Sequence, residues 1–194
     1  MIDGKIMKPF GPSIGIYKMP QGLIDDLNTD CLSTDVDMSN ELIGNIDLQL
    51  KFSEEVVNDH GAWFEEAANH YAQSLQFIDL PSVVLGSAWY NRMLKSLESN
   101  PSHIHGASLL SSVGYLKLPD NFKEELQKPH KDGRGGGLHV YYGEYTPLAV
   151  CELTLVPDVG DYYIFPSTLR HAVNPLLPSL NGERRSFSIN YRSN

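Results

Sequence analysis

The chain has 194 residues, of which 41% are hydrophobic and 20% are charged. This length and balance are typical of a single globular domain. Lys and Arg number 15 against 24 Asp and Glu, which gives a formal net charge of -9. Nucleic acids and anionic membrane surfaces are therefore disfavoured as partners, because like charges repel over most of the protein surface.

No stretch approaches the roughly 18 consecutive apolar residues of a membrane span, and the first residues lack the apolar core of a secretory signal. We therefore expect a cytoplasmic protein. The two cysteines, Cys31 and Cys151, lie far apart and provide neither a disulfide framework nor a CxxC metal site.

The N-terminal part, residues 1–80, is expected to contribute strands and a supporting helix to the domain. Apolar and polar residues alternate over residues 45–52, which predicts a half-buried strand. Ser53 can cap a following helix, whose apolar residues recur at helical spacing until Pro81. An interruption of this helix near Gly61 is left open.

Two histidines, His60 and His70, fall within this helix. Their ten-residue separation points them about 80° apart around the helix axis. We interpret them as surface residues rather than as a shared site.

The remaining part, residues 81–194, is predicted to form a β-rich core, a sandwich or a barrel. Short β-rich runs are separated by turn residues at a spacing that does not suit alternating strands and helices. These runs cover residues 83–94, 111–118, 138–142, 149–156, 162–165 and 185–191. One weak helix signal covers residues 121–128.

A glycine-rich segment, Gly133–Gly137, interrupts this core. It lacks the Lys-Ser/Thr pair that would follow in a phosphate-binding loop, so we predict a mobile loop that could close over a site. The flanking His130 and His139 are interpreted as surface or lid residues.

The pair His103 and His105 follows Pro101 at the start of a predicted strand. A two-residue step places both imidazoles on one side of a strand, about 7 Å apart, as two ligands of one metal would be. The pattern is weak alone and gains weight from His171, which follows an aromatic strand and a Phe-Pro turn.

The last strand has an unusual polar face. Four polar residues alternate with more apolar ones, which suits the inside of a barrel that binds an anion. An exposed edge strand with this face in solvent is the alternative. The two faces carry, respectively, Arg184, Ser186, Ser188 and Asn190, and Arg185, Phe187, Ile189 and Tyr191.

The combination of these segments resembles the non-haem iron, 2-oxoglutarate-dependent oxygenases. More narrowly, it is similar to small oxygenases loosely grouped with prolyl hydroxylases and found in phages and marine bacteria. The resemblance covers roughly residues 86–191. It is carried by residues 89–91, 103–105, 111–119, 160–173 and 183–190.

The resemblance implies a mainly β fold, a double-stranded β-helix or jelly roll, with Fe(II) and 2-oxoglutarate as cofactors. His103 and His171 would bind iron, while Arg184 with Ser186 would bind the far carboxylate of 2-oxoglutarate. Tyr115 and Asn91 would be further contacts to the cosubstrate or to metal-bound water, or else line the barrel. Together with Arg185, Arg184 would make the pocket positive within an acidic protein.

Position 105 departs from the family pattern, in which Asp or Glu stands two positions after the first histidine. Three alternatives remain: His105 is the third ligand, a distant carboxylate such as Asp120 or Glu144 completes the site, or the position is open to water or a halide. A carboxylate offsets one unit of iron charge and an imidazole offsets none, so the alternatives differ in redox balance and anion affinity.

The expected reaction is substrate hydroxylation coupled to decarboxylation of 2-oxoglutarate to succinate and CO2, with O2 as oxidant. The substrate would be a peptidyl proline, another peptidyl residue or a small molecule, and a homodimer is left open. Two alternatives are a cupin-like metalloenzyme that does not use 2-oxoglutarate and a non-catalytic jelly-roll binding or structural module.

Overall fold

Antiparallel strands dominate the computed structural model, which describes residues 2–7, 11–75, 82–128 and 135–194. Eleven strands are found in these residues. They are β1 (Gly4–Met7), β2 (Ile14–Lys18), β3 (Leu48–Lys51), β4 (Val83–Met93), β5 (Asn100–His103), β6 (Leu110–Lys117), β7 (Leu138–Tyr141), β8 (Glu152–Leu155), β9 (Asp161–Pro166), β10 (Arg170–Val173) and β11 (Arg184–Ser193).

The strands form two sheets that make a jelly roll, as predicted. The larger sheet has the order β1-β2-β9-β6-β11-β4-β3 and the smaller has the order β5-β10-β7-β8. The N-terminal strands extend both ends of the larger sheet, and β11 lies in its interior, paired with β4 and β6.

Two long helices cover the outer face of the larger sheet. They are α1 (Gln21–Ser33) and α2 (Glu54–Ser74), and a short α3 (Phe122–Gln127) confirms the weak helix signal. Ser53 caps α2 by accepting a hydrogen bond from the Val56 N–H, and the helix continues through Gly61 without a break. Among the described residues, no helix is long and apolar enough to cross a membrane.

The main hydrophobic core lies between these helices and the larger sheet. Phe187 of β11 is fully buried there, and its ring packs against those of Phe52, Phe64 and Tyr162. Buried aromatic side chains of this size contribute strongly to the free energy of unfolding, because the hydrophobic contribution grows with the apolar area removed from water. A second apolar cluster fills part of the space between the two sheets.

The predicted strand over residues 45–52 is shorter in the structure, and it is buried on both faces at its middle. Only Leu48–Lys51 form β3, which is the edge strand beside β4. Gln49, expected on the polar face, is 1% exposed and donates a hydrogen bond to Asn91. Gln49 therefore faces the space between the sheets, whereas Lys51 at the end of the strand is exposed.

Phe187→Ala should lower the free energy of unfolding by about 3–5 kcal/mol, because it removes a buried ring from a packed cluster. Urea denaturation followed by circular dichroism measures the change. Leu148→Ala, at a fully exposed apolar residue, is the control and should change stability by less than about 0.5 kcal/mol. Equal effects at the two positions would contradict the packing described here.

Candidate metal centre and cosubstrate pocket

Three histidines converge at one end of the space between the sheets. The pairing of β5 with β10 places His103 opposite His171. His105 lies just beyond β5, where its backbone N–H donates a hydrogen bond to the Ser167 carbonyl over 2.9 Å. The nitrogen atoms that these three side chains offer as ligands all lie within 4.8 Å of one another.

Backbone carbonyls fix the orientation of two of the rings. His103 Nδ1 donates a hydrogen bond to the Pro101 carbonyl over 2.6 Å, and His171 Nδ1 donates to the Leu169 carbonyl over 2.8 Å. With the proton on Nδ1, the lone pair of each ring is on Nε2. Both rings are thus in the tautomer that binds metal through Nε2.

Burial keeps the imidazoles neutral. It lowers the pKa of His171 to about 3, with His103 lowering it further. Burial and the neighbouring His103 also lower the pKa of His105 to about 4. Neutral imidazoles are ligands for Fe(II) and other divalent transition metals, so this donor set fits such an ion.

No carboxylate joins this cluster among the residues that the structure describes. Asp120 and Glu144, the acidic residues considered from the sequence, are both exposed and are not part of it. The third nitrogen donor within reach is His105.

The polar face of β11 points into the same cavity. Since β11 is an interior strand, paired on both sides, the alternative of an exposed edge strand is wrong. Ser186 lies opposite Asn91 on β4 and opposite Tyr115 on β6, which forms one polar row across three strands. Arg184, Ser186 and Asn91 line the cavity together with the three histidines.

Arg184 is a fully buried cation, 1% exposed, without a carboxylate partner among the described residues. Its Nε donates to the Gly136 carbonyl over 2.8 Å, its Nη1 donates to Ser186 Oγ over 2.9 Å, and its guanidinium lies 5.1 Å from the Tyr115 ring centre. Within the described part of the chain, Arg184 Nη2 and the Tyr115 hydroxyl have no hydrogen-bond partner. Buried donors without partners are costly, so this pair fits an anionic ligand.

The described part of the glycine-rich segment, residues 135–137, differs from the predicted mobile loop. Gly135, Gly136 and Gly137 are buried, and Gly136 adopts a left-handed backbone with φ +76°. A Cβ at Gly136 would lie 3.1 Å from Phe122 and 3.4 Å from Arg184 Cδ. This glycine lets the backbone come close enough for its carbonyl to hold Arg184.

Gly133, Arg134 and His130, which belonged to the same prediction of a lid, lie outside the described residues.

Two further residues differ from expectation. Arg185 lies on the opposite face of β11, where its Nε and Nη2 donate to Glu183 over 2.9 and 2.6 Å. It therefore does not contribute charge to the pocket.

His139 is buried on β7, with its Nδ1 3.1 Å from Thr154 Oγ1, so the interpretation of a surface or lid residue is wrong.

The helix histidines are separate from the metal centre. His70 is exposed and its Nδ1 lies 3.1 Å from the Tyr17 hydroxyl, while His60 is half-buried beside Asp26.

Sequence reasoning missed three features of the site. The carbonyls of Pro101 and Leu169 are backbone groups, and residue type does not reveal their role. Nothing in the sequence distinguishes Gly136 from the neighbouring glycines. Asn190 was placed on the polar face of β11 without a role, yet its Nδ2 lies 3.2 Å from His105 Nδ1.

Solved structures share this fold. A prolyl-4-hydroxylase from Pseudomonas putida matches with a TM-score of 0.61 and 17% identity, over 93% of this chain and 92% of that protein. HygX from Streptomyces hygroscopicus, solved with nickel, 2-oxoglutarate and hygromycin B, matches with a TM-score of 0.64 and 12% identity, over 93% and 82%.

A prolyl hydroxylase from Trichoplax adhaerens, in complex with a peptide fragment of the oxygen degradation domain of hypoxia inducible factor, matches with a TM-score of 0.60 and 12% identity, over 93% and 83%. At these identities the similarity shows a common fold. No curated protein matches the sequence significantly.

The sequence itself matches a family model over residues 87–190, more than half of the chain. The family is described as "Putative 2OG-Fe(II) oxygenase". The matched range contains the three clustered histidines as well as Arg184 and Ser186. The chain therefore belongs to this family of 2-oxoglutarate/Fe(II) oxygenases, whose cofactors are Fe(II) and 2-oxoglutarate.

Proposed function

We propose that the protein is a dioxygenase that hydroxylates its substrate while 2-oxoglutarate is decarboxylated to succinate and CO2. The observation that supports this most strongly is a single cavity lined by three neutral imidazoles and by a buried guanidinium with an unpaired N–H. The first set suits a divalent transition metal, and the second suits the distal carboxylate of the cosubstrate.

In this proposal, His103, His105 and His171 hold Fe(II). The iron, when bound with 2-oxoglutarate, supplies the activation of O2 and the oxidising power for hydroxylation. The protein fixes the ligand geometry and excludes bulk water, and no side chain is needed as a general base. The carbonyls of Pro101 and Leu169 orient two of the ligands before metal arrives.

Arg184 binds the distal carboxylate of 2-oxoglutarate through its unpaired Nη2, and the Tyr115 hydroxyl donates a second hydrogen bond. Burial raises the pKa of Tyr115 to about 12, although Arg184 opposes the shift, so this hydroxyl keeps its proton and remains a donor. Ser186 accepts from Arg184 and holds the guanidinium in place. Asn91, opposite Ser186 on β4, borders the same space.

The substrate class that we propose is a peptidyl residue, with proline first. It is supported by the common fold with two prolyl hydroxylases, one of which was solved with a peptide. Incubating the iron-loaded protein with proline-containing peptides and measuring succinate and hydroxylated peptide tests this class. Succinate formation stimulated by other compounds and not by such peptides would redirect the assignment.

A cupin-like metalloenzyme that does not use 2-oxoglutarate would share the jelly roll and a three-histidine metal. The buried, unpaired donors of Arg184 and Tyr115 would then lack a ligand. A non-catalytic jelly-roll module would leave both the histidine cluster and the buried guanidinium without a role. The arrangement of the cavity therefore favours the oxygenase.

Anaerobic titration with Fe(II) and then 2-oxoglutarate should give a weak visible charge-transfer band that requires both additions. Arg184→Ala should keep its iron but lose about 100-fold or more in 2-oxoglutarate affinity, because a buried charge-assisted contact is removed. Arg192→Ala, an exposed arginine of the same strand, is the matched control and should behave like the parent.

Absence of the band in folded, iron-loaded parent protein would contradict the proposed function. Equal loss of iron and 2-oxoglutarate in Arg184→Ala would show that the role assigned to this arginine is wrong.

Replacement of His105 separates the alternatives for the third ligand. His105→Ala should lower the affinity for Fe(II) by more than about 100-fold, because loss of a hydrogen-bond partner outside the ligand set alone costs roughly 10–100-fold. His105→Asp should retain iron, because a carboxylate is also a good ligand. Metal analysis after gel filtration gives the stoichiometry. His60→Ala is the control, and full iron retention in His105→Ala would exclude His105 as a ligand.

Gly136→Ala should weaken 2-oxoglutarate binding, because the added Cβ would crowd Phe122 and displace the carbonyl that holds Arg184. Gly143→Ala is a matched control, because Gly143 has φ +79° but a Cβ there meets no atom within 4 Å. Both variants should lose about 1 kcal/mol of stability from the left-handed backbone. Only Gly136→Ala should raise the Kd for 2-oxoglutarate, and equal Kd values would refute the role of the Gly136 carbonyl.

A further inference from the structure

The three imidazoles of the metal centre differ in what holds their outer nitrogen. Carbonyl oxygens, which only accept hydrogen bonds, lie beside Nδ1 of His103 and of His171. His105 Nδ1 instead lies 3.2 Å from Asn190 Nδ2. A side-chain amide can present either a donor or an acceptor to the ring, depending on which way it is turned.

On its other side, Asn190 contacts Ser111. Ser111 lies directly opposite Asn190 in the pairing of β6 with β11, and its hydroxyl donates to Asn190 Oδ1 over 2.8 Å. In this arrangement the amide nitrogen faces His105 and donates to its Nδ1. The proton of the neutral His105 ring must then be on Nε2.

That tautomer agrees with the contact between the histidines. His105 Nε2 lies 3.1 Å from His103 Nε2, which carries a lone pair because the Pro101 carbonyl keeps the proton of that ring on Nδ1. His105 Nε2–H thus donates to His103 Nε2. In this state two of the rings offer a lone pair to a metal, and the third offers an N–H.

We propose that Asn190, together with Ser111, is a tautomer switch that recruits His105 as the third ligand. Metal binding turns the amide by 180°, so that Asn190 Oδ1 accepts from His105 Nδ1–H and Nδ2 donates to the Ser111 hydroxyl, which can act as donor or acceptor. The Nε2 proton leaves to solvent, and Nδ1 takes up a proton from solvent. The ring stays neutral, and no net proton is released.

This inference rests on the three-histidine site of the proposed function and adds a positioning residue to it. Metal-bound histidines generally donate their second N–H to an acceptor that fixes ring orientation. Asn190 would supply that acceptor for His105 only after turning. The switch also gives the metal-free site an internal hydrogen bond, so that two lone pairs do not face each other at 3.1 Å.

Nitrogen-15 NMR of histidine-labelled protein tests the switch without any activity measurement. In the metal-free protein, His105 should have its proton on Nε2, and His103 and His171 should have theirs on Nδ1. With diamagnetic Zn(II) bound, all three should be protonated on Nδ1. A metal-free His105 already protonated on Nδ1, with all three rings shifting on zinc binding, would overturn the switch but leave the three-histidine site intact.

Zinc that shifts only His103 and His171 would overturn both the switch and the assignment of His105 as a ligand.

Asn190→Asp provides a second test, because a carboxylate presents only acceptors and preorganises His105 in the ligating tautomer. The Kd for Zn(II) should fall about 10-fold, and Asn190→Ala should raise it by a similar factor. Asn58→Asp, on the exposed side of α2, controls for the added negative charge. An Asn190→Asp affinity equal to or weaker than that of Asn58→Asp would overturn the proposal.

Discussion

The guanidinium of Arg184 lies fully buried between two β-sheets, and the surrounding structure is arranged around that cation. A buried charge is tolerated only when its donors are satisfied or when a ligand satisfies them. Gly136 and Ser186 accept from it, and the Tyr115 ring lies beside it, but its Nη2 has no partner in the described part of the chain. This incomplete satisfaction is typical of a binding site.

Several features of the fold follow from placing this charge inside. A strand that carries Arg184 and Ser186 on its inner face must take its apolar stabilisation from the outer face, where Phe187 packs under α2. The helices are therefore needed to cover the sheet. The same strand also carries Asn190 beside His105, so that one element positions both Arg184 and Asn190.

The charge of the cavity is opposite in sign to the net charge of the chain. The chain carries a formal charge of -9, yet the cavity contains Arg184, neutral imidazoles and no clustered carboxylate among the described residues. Arg185 is neutralised on the far side of the strand by Glu183. A dianionic cosubstrate thus meets a locally positive pocket in an acidic protein. Three neutral ligands would also leave the full charge of the metal ion available to attract it.

Local patterns in the sequence were sufficient for some parts of this structure. Alternation over residues 185–191 predicted β11 and its faces, because side chains on a strand alternate strictly. The two-residue step from His103 to His105 and the turn before His171 indicated the cluster of three histidines. The helix α1 was missed because its buried Leu23, Ile24, Leu27 and Cys31 are few and no side chain caps its start.

Other parts depend on tertiary contacts that periodicity does not encode. Gln49 is buried because β3 pairs with β4 above the cavity, and Gly136 matters because its carbonyl meets a residue 48 positions away. His105 Nδ1 lies 3.2 Å from the amide of Asn190, which is 85 positions distant.

An anaerobic crystal structure with Fe(II) and 2-oxoglutarate tests the proposed site most directly. We expect Nε2 of His103, His105 and His171 as the protein ligands, and the distal carboxylate of 2-oxoglutarate on Arg184 Nη2 and the Tyr115 hydroxyl. A protein carboxylate bound to the iron, or 2-oxoglutarate bound away from Arg184, would contradict it.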